Sequence, residues 1–272
     1  MNPKNQPAAR LLAVDLDHTL LDSRRKPHPV SAAAIRRAAS RGVHVVLASG
    51  RSLQSILPFA EELELQSFVI GCNGAHVVDE ARKTVLSRPL PLAAARLALT
   101  LAEDPNLHLS IYTTDALVFV RDSEWGDVYL SRVRNVAPIY ASAAEVEKME
   151  IMKIMLLAEP EYKRRVGKEI VGPIEAAGGE ATESEAEYLE FLAAGVDKGE
   201  GLRAIAEKLG IPQAQTAAIG DYFNDLGMIQ YAGISGAVAN ADEAVKRAAR
   251  HVVASNDEGG VAEFIDTFVL NE

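Results

Sequence analysis

The sequence is short of cysteine, of basic side chains and of long apolar runs, and each shortage excludes a class of protein. One cysteine, Cys72, in 272 residues rules out an intrachain disulfide framework and fits a reducing compartment. The 28 basic residues against 38 acidic ones give a net charge of −10, which argues against a nucleic-acid or membrane-surface binder. No apolar run approaches the ~18 residues of a membrane span, because Lys153 interrupts the apolar segment 149–158.

The chain length and the first residues set further bounds. At 272 residues the chain exceeds the usual single-domain length of roughly 100–200, so two domains are expected. With 48% hydrophobic and 24% charged residues, the composition is typical of a soluble globular protein. Residues 1–7 are polar and lack the apolar core of a signal peptide, so we expect a frayed tail and a cytoplasmic protein.

The first and last thirds of the chain alternate strand and helix, which predicts an α/β fold with a parallel sheet covered on both faces. Residues 80–190 instead show adjacent strand pairs separated by turns, which favours an antiparallel sheet with helices on one face. We therefore expect an α/β domain over 1–79 and 195–272, interrupted by an inserted α+β domain over 80–194.

Polar side chains follow the predicted strands of the α/β domain. Ligands of an open parallel sheet bind outside the carboxyl ends of its strands, so these side chains predict one shared site. A helix cap or a turn could explain each residue alone, but caps do not require two carboxylates on one strand end and another pair across the sheet. The candidates, in chain order, are Asp15, Asp17, Thr19, Ser49, Gly50, Arg51, Asn73, Lys198, Asp221, Asn224 and Asp225.

The residue types of this predicted site suit phosphoryl transfer. Several carboxylates without a histidine or cysteine cluster fit a hard cation such as Mg²⁺. Lys198, the Ser49 hydroxyl and loop N–H groups could hold the oxygens of a phosphate. One carboxylate can attack phosphorus to form an aspartyl-phosphate, while a second moves protons.

The same segments resemble the ordered signatures of the haloacid dehalogenase superfamily, and most closely those of its Cof-type sugar-phosphatase branch. The resemblance covers nearly the whole chain and depends on the order and spacing of the motifs. The segments that carry it are Asp15-Leu16-Asp17-His18-Thr19-Leu20-Leu21, Ala48-Ser49-Gly50-Arg51, Asn73-Gly74-Ala75, Asp197-Lys198-Gly199, Gly220-Asp221-Tyr222-Phe223-Asn224-Asp225-Leu226-Gly227-Met228, Ala239-Asn240-Ala241 and Asn256-Asp257-Glu258-Gly259-Gly260-Val261.

The resemblance implies a Rossmann-like core with an inserted cap that closes over the site and selects the leaving group. It implies that Asp15 is the nucleophile and Asp17 the general acid/base. Further implied roles are Mg²⁺ bound by Asp15, the Asp17 backbone carbonyl and Asp221 with support from Asp225; phosphoryl binding by Ser49, Gly50 and Lys198 beside Asn224; and supporting positions at Thr19, Arg51 and Asn73.

One position departs from the branch, which usually has glycine where this chain has His18. A tolerated, solvent-facing loop residue is one interpretation; contact with substrate or with the cap is the other. Trp125 and Tyr129 lie four apart on a predicted helix of the inserted domain, a spacing that favours core packing over a substrate platform.

The expected function is a Mg²⁺-dependent phosphatase that hydrolyses small phosphorylated metabolites, sugar phosphates among them, as a monomer or homodimer. A phosphomutase and a non-catalytic sensor on the same fold are the alternatives. Residues 80–190 contain no sugar, nucleotide or cofactor signature, so the sequence leaves the substrate undefined.

Overall fold

The computed structural model of the protein describes residues 8–133, 136–183 and 185–271, so the expected tail over 1–7 lies outside the described residues. The chain divides into two compact units. The core unit holds the residues through Arg51, Ile56–Leu86 and those from Asp197 on, and the inserted unit holds Ser52–Ser55 and Ser87–Val196. No helix in the described ranges has the length and apolar character needed to cross a membrane.

The core unit is built on an eight-stranded sheet with the spatial order β14-β13-β12-β1-β2-β3-β4-β5. With strands and helices numbered along the whole chain, its strands are β1 (Leu11–Asp15), β2 (His44–Ala48), β3 (Val69–Gly71), β4 (His76–Val78), β5 (Thr84–Ser87), β12 (Thr216–Gly220), β13 (Ile234–Val238) and β14 (His251–Val253). The accompanying helices are α1 (Pro29–Ser40), α2 (Leu53–Glu62), α7 (Lys198–Leu209), α8 (Leu226–Tyr231), α9 (Glu243–Ala248) and α10 (Gly260–Phe264).

The pairings β14 through β3 are parallel, and β4 returns antiparallel to β3. All five residues of β1 are buried, as expected for a central strand covered on both faces. On one face, Leu11 and Ala13 pack with Leu202 and Ile205 of α7. On β1 the alternate residues point to the opposite face. The register pairs Asp15 with Ala48 and Val14 with Ile219, so these strands end at one edge of the sheet.

Helix α7 has an N-terminal capping residue and a C-terminal glycine that define its ends. The Asp197 side chain caps its first turn by accepting a hydrogen bond from Glu200 N–H at 2.8 Å. Gly210 ends it with φ 61°, the left-handed conformation that glycine adopts without steric cost. The cap and the stop fix Lys198 as the first residue of this helix.

The inserted unit contains a six-stranded sheet with the order β10-β11-β9-β6-β7-β8. Its strands pair antiparallel except for the parallel pair β7–β8. The elements are α3 (Leu92–Leu99), β6 (Leu107–Thr113), β7 (Leu117–Phe119), α4 (Glu124–Arg132), β8 (Ile139–Tyr140), α5 (Ala143–Val146), β9 (Ile151–Ala158), α6 (Pro160–Ala176), β10 (Gly179–Thr182) and β11 (Tyr188–Ala193).

The expectation that helices cover only one face of this sheet is wrong. Leu109 and Ile111 share an apolar cluster with residues of α3 and α6. Tyr112, the neighbour of Ile111 on β6, points the other way and donates a hydrogen bond to Tyr129 of α4 at 2.8 Å. Helix α4 therefore lies on the opposite face, and Tyr129 is a packing residue there.

The structure differs from the sequence expectation in a few other places. Strand β5 joins the sheet of the core unit, so the division falls after Leu86 and not after residue 79. The sequence predicts a helix over 127–133, whereas α4 begins at Glu124 because the Ser123 hydroxyl caps it by accepting from Gly126 N–H at 3.1 Å. Four short elements, β4, β8, α5 and α9, were not predicted from the sequence. The sequence also predicts a strand over 179–184, and its last residue, Ser184, lies outside the described residues.

Candidate active site

Four neighbouring strands of the core unit bring the sequence-predicted residues to one edge of its sheet. The ends of β1 and β12 and the start of α7 supply the charged groups, and the ends of β2 and β3 supply mainly hydroxyl and amide groups. Every candidate belongs to this unit: Asp15, Asp17 and Thr19 follow β1; Ser49, Gly50 and Arg51 follow β2; Asn73 follows β3; Asp221, Asn224 and Asp225 follow β12; and Lys198 opens α7.

A buried lysine lies between two carboxylates at the centre of the site. Lys198 Nζ donates to Asp15 Oδ1 and to Asp225 Oδ1, each at 2.6 Å. Lys198 and Asp225 have no exposed surface, and Asp15 is 4% exposed. Charge-assisted hydrogen bonds of this length compensate for removing the three charges from water.

Asp225 also shapes the turn that carries Asp221. Its Oδ2 accepts from Asp221 N–H at 2.9 Å and from Tyr222 N–H at 3.1 Å. A side chain at Gly220 would place Cβ 2.4 Å from the Asp225 carboxylate, so this turn requires glycine. Asp221 Oδ1 accepts from the Thr19 hydroxyl at 2.9 Å, which joins the end of β12 to the loop after β1.

The crowded carboxylates change the protonation equilibria of the site. Burial, followed by the negative charge of Asp225, raises the pKa of Asp15 well above its usual value, against the opposing charge of Lys198. Burial and Asp225 also raise the pKa of Asp221 to about 6. Burial lowers the pKa of Lys198, but the charges of Asp15 and Asp225 outweigh it and raise that pKa above its usual value.

The ends of β2 and β3 form the polar wall beside this cluster. Asn73 N–H donates to the Ser49 carbonyl at 3.1 Å, and Asn224 Nδ2 donates to Asn73 Oδ1 at 3.0 Å. Asn73 has φ 55°, a left-handed conformation that asparagine tolerates better than most residues. A Cβ on Gly74, which has φ 104°, would lie 2.1 Å from the Asp197 carbonyl, so the approach of this loop to α7 also requires glycine.

Asp17 is paired with an arginine. Arg51 Nε donates to Asp17 Oδ2 at 2.7 Å, and Arg51 Nη2 donates to Oδ1 at 2.6 Å. Burial raises the pKa of Asp17, but these hydrogen bonds and the charge of Arg51 outweigh it and lower that pKa below its usual value. Arg51 was predicted as a supporting residue, but its pairing with Asp17 was not predicted.

His18 lies between Asp17 and Thr19 with an exposed side chain and φ 60°. This left-handed conformation explains why a glycine is the easier residue at this position. Asn240 Nδ2 donates to the His18 carbonyl at 2.8 Å, and Asn256 Nδ2 donates to the Leu21 carbonyl at 2.9 Å. The two asparagines hold the loop after β1 in place. They belong to the motifs quoted above, but no role was predicted for them.

The carboxylates of the site fit a hard divalent cation. Oxygens of Asp15, Asp221 and Asp225 all lie within 4.8 Å of one another. Asp15 and Asp221 each have one oxygen engaged, by Lys198 and Thr19, so the other oxygen of each can bind a metal ion. Both oxygens of Asp225 accept hydrogen bonds from the protein, so Asp225 is better suited to orienting Asp221 and Lys198.

A parallel sheet with clustered carboxylates and a buried lysine at its carboxyl edge is an arrangement suited to phosphoryl transfer. Comparison with known proteins gives the family: residues 12–265 match the haloacid dehalogenase-like hydrolases, and the chain belongs to this family, in its Cof-type branch. The family match also establishes the enzyme class, a phosphoric monoester hydrolase.

Two relatives and one solved structure illustrate the likeness. The chain is 31% identical over 273 residues to pyridoxal phosphate phosphatase YbhA of Escherichia coli (strain K12), covering 96% of this chain and 99% of the relative. It is 29% identical over 267 residues to 5-amino-6-(5-phospho-D-ribitylamino)uracil phosphatase YcsE of Bacillus subtilis (strain 168), covering 96% of each. A haloacid dehalogenase-like hydrolase from Bacteroides thetaiotaomicron superposes with a TM-score of 0.86 at 26% identity, covering 95% of this chain and 99% of that one.

Proposed function

We propose that this phosphatase requires Mg²⁺ and hydrolyses small phosphorylated metabolites, including sugar phosphates, through an aspartyl-phosphate on Asp15. The observation that carries the proposal is the excess of negative charge at the site. Three carboxylates, Asp15, Asp221 and Asp225, are within reach of one ion, and Lys198 is the ammonium bound among them. A bound cation would stabilise such a cluster, whereas without one the carboxylates hold protons more tightly, which is the direction of the raised pKa values of Asp15 and Asp221.

In the first proposed step, a carboxylate oxygen of Asp15 attacks the phosphorus atom of the bound ester. The ester P–O bond breaks, its electron pair goes to the leaving oxygen, and Asp17 gives its proton to that oxygen. Arg51 lowers the pKa of Asp17, but a phosphoryl dianion beside Asp17 opposes this and favours the protonated acid. The products of this step are the free alcohol and phosphorylated Asp15.

In the second step, Asp17 takes a proton from a water molecule, whose oxygen attacks the phosphorus atom. The bond between phosphorus and Asp15 breaks, which restores the Asp15 carboxylate and releases inorganic phosphate. Asp17 ends protonated, as it began, so ester and water give alcohol and phosphate. Lys198 and the Ser49 hydroxyl would bind the phosphoryl oxygens throughout. Asp15 and Asp221 would hold a bound Mg²⁺, which would neutralise charge on the phosphoryl group and help to orient it.

A phosphate-release screen tests the proposal. The panel should hold sugar phosphates, nucleotides and cofactor phosphates, together with pyridoxal phosphate and 5-amino-6-(5-phospho-D-ribitylamino)uracil, the substrates in the names of two relatives. We expect Mg²⁺-dependent release of phosphate from several members and loss of release when the metal is chelated. Isomerisation of a hexose phosphate without net phosphate release would instead favour a phosphomutase. No turnover with Mg²⁺ across the panel would contradict the proposal.

A further inference from the structure

Asp17 is the most exposed carboxylate of the site. To protonate the leaving oxygen of the ester, its side chain must be fixed in place by a neighbouring residue. Its side chain is 40% exposed, whereas the side chain of Asp15 is 6% exposed. The backbone at Asp17 is extended (φ −74°, ψ 129°) and is followed by the left-handed His18. A group that moves protons must lie within hydrogen-bond reach of the reacting oxygen, so an unrestrained carboxylate at this position would often be misplaced.

The Arg51 guanidinium supplies a two-point hold on that carboxylate. Nε and Nη2 bind different oxygens, Oδ2 at 2.7 Å and Oδ1 at 2.6 Å, so they fix the plane of the carboxylate as well as its position. A planar fork matches a carboxylate in this way, whereas an ammonium group does not. Each carboxylate oxygen has two lone pairs, so a proton can still be carried at the side facing away from the guanidinium.

Arg51 is itself anchored to the strand ends that build the phosphoryl pocket. Its N–H donates to Ser49 Oγ at 3.2 Å, and its carbonyl accepts from Cys72 N–H at 2.8 Å. The guanidinium carbon lies 5.5 Å from the centroid of the Phe59 ring, and the side chain is 12% exposed. The arginine therefore links the position of Asp17 to Ser49, the hydroxyl expected to bind the phosphoryl group.

We propose that Arg51 is the positioning residue of Asp17, holding its carboxylate where a proton reaches the leaving oxygen as the ester P–O bond breaks. The inference rests on the proposed function, because it assumes that Asp17 protonates the leaving group. The competing possibility is that Arg51 binds the phosphoryl group directly. The two roles predict different results when Arg51 is removed. Only the positioning role predicts that the loss of kcat/KM depends on the leaving group.

The test compares kcat/KM for Arg51→Met and Arg51→Lys on two esters, a hexose phosphate and p-nitrophenyl phosphate. The alkoxide leaving group of the sugar requires a proton, whereas p-nitrophenolate leaves without one. Because kcat/KM covers only the steps through loss of the leaving group, it isolates the step in which Asp17 acts as an acid. We expect Arg51→Met to lower kcat/KM about 100-fold for the sugar ester and less than about threefold for the aryl ester. Arg51→Lys should lose less kcat/KM on the sugar ester than Arg51→Met, because lysine keeps the positive charge but lacks the two-point guanidinium contact.

Arg24 offers a matched control in the same unit. Its Nε and Nη2 both bind Asp22 Oδ2, at 3.1 and 2.9 Å, in an arginine–aspartate pair outside the site, so Arg24→Met should leave both kcat/KM values unchanged. The double variant Asp17→Asn/Arg51→Met should be no slower on the sugar ester than Asp17→Asn alone, because Arg51 acts through Asp17. Thermal unfolding of each variant identifies any loss that comes from the fold.

An equal loss of kcat/KM on the two esters in Arg51→Met would overturn the inference. It would also be overturned if Arg51→Met lowered kcat/KM for the sugar ester as much in Asp17→Asn as it does in the wild-type protein. Either result would indicate that Arg51 binds the phosphoryl group or supports the fold. These outcomes leave the proposed function standing if the wild-type enzyme releases phosphate. Absence of phosphate release by the wild-type enzyme from every ester would count against the proposed function itself.

Discussion

Lys198 in the core unit and Lys153 in the inserted unit are both buried, but their surroundings differ. Lys198 in the core unit donates to Asp15 and Asp225 at a sheet edge where Asp221 adds a third carboxylate. Lys153 in the inserted unit lies within strand β9, 3.0 Å from Glu190 on the neighbouring strand. Its Nζ is also 4.5 Å from the centroid of the Tyr112 ring, and both members of the pair are buried.

The difference lies in charge balance. Lys153 and Glu190 neutralise each other, and an aromatic face adds cation–π attraction, so this pair is complete without a ligand. Around Lys198 one positive charge faces three carboxylates, which leaves an excess of negative charge in a buried place. A balanced buried pair therefore indicates a structural role, whereas an unbalanced cluster at the carboxyl edge of a parallel sheet indicates a binding site.

The largest effect is expected for Asp15→Asn, which removes the proposed nucleophile. Turnover should fall by at least about 10⁴-fold, because an amide cannot form the acyl phosphate. The fold should persist, since asparagine keeps an oxygen for Lys198 and relieves the crowding of carboxylates. Phosphate release and circular dichroism check the two halves of this prediction. The matched change in the inserted unit, Glu190→Gln, should leave more than about one-tenth of the wild-type kcat. Substantial turnover by Asp15→Asn would contradict the covalent mechanism.

The second prediction exchanges the two lysines for methionine. Lys153→Met leaves Glu190 buried without its ammonium partner, so the free energy of unfolding should fall by about 3–5 kcal/mol. Lys198→Met should instead lower kcat/KM by at least about 100-fold, because the phosphoryl group loses its cation. Urea denaturation and steady-state kinetics on both variants measure the contrast. If Lys153→Met lowered activity as much as Lys198→Met without loss of stability, the proposed division between a structural and a functional lysine would be wrong.

The third prediction concerns Mg²⁺ and the stability of the core unit. A ligand that binds only the folded state adds about 2.7 kcal/mol at 100 times its Kd, so Mg²⁺ should raise the Tm of the wild-type protein. Asp221→Asn should lose most of this increment and should be more stable than wild type without metal, since it removes a repelling charge. Calorimetry with and without Mg²⁺ measures both effects. An unchanged Mg²⁺ increment in the variant would rule out Asp221 as a ligand.

The smallest expected effect is the pH dependence of a buried histidine in the inserted unit. Burial, followed by the charge of Arg121, lowers the pKa of His108 to about 4. The unfolded state binds a proton near the ordinary value of 6.5 while the folded state does not, so stability falls as the pH drops below that value. Between about pH 7.5 and pH 5 the loss should be about 2 kcal/mol.

The control for this prediction is His108→Gln, which removes the titrating group. Denaturant unfolding at the two pH values should show about 2 kcal/mol less acid sensitivity in this variant than in the wild-type protein. Equal acid sensitivity of the two proteins would show that His108 is not the titrating group. Acid affects stability in opposite directions at the two residues. It destabilises the fold at His108, which is buried in its neutral form, and it stabilises the fold at Asp221, where protonation relieves the crowding of carboxylates.

Much of the core unit could be predicted from the sequence because its signals are local. Strand β1 is a continuous apolar run, and α7 begins with a capping aspartate and ends at a glycine. The candidate site was predictable since parallel strands bring their carboxyl ends to one edge. The short strands β4 and β8 have no comparable signal, because they exist only through pairing with neighbours already in place.

The contacts between site residues could not be read from the sequence. Arg51 and Asp17, which form an ion pair, are 34 residues apart in the sequence, and Asn240 and His18 are 222 residues apart. Both depend on the conformations of loops that follow different strands. The position of α4 was missed for a related reason. Its contact with the sheet runs through Tyr112 and Tyr129, a polar pair that an apolar pattern does not reveal.

The most direct test of the account is whether Asp15 is phosphorylated during turnover. Asp17→Asn removes the base of the second step, so phosphorylated enzyme should accumulate when this variant is mixed with p-nitrophenyl phosphate and Mg²⁺ and then quenched with acid. Mass spectrometry of the digested protein should show one phosphoryl group, on the peptide that contains Asp15 and only when Mg²⁺ is present. Turnover by the wild-type enzyme with no phosphorylated peptide in the variant, or with the group on another residue, would contradict the central claim.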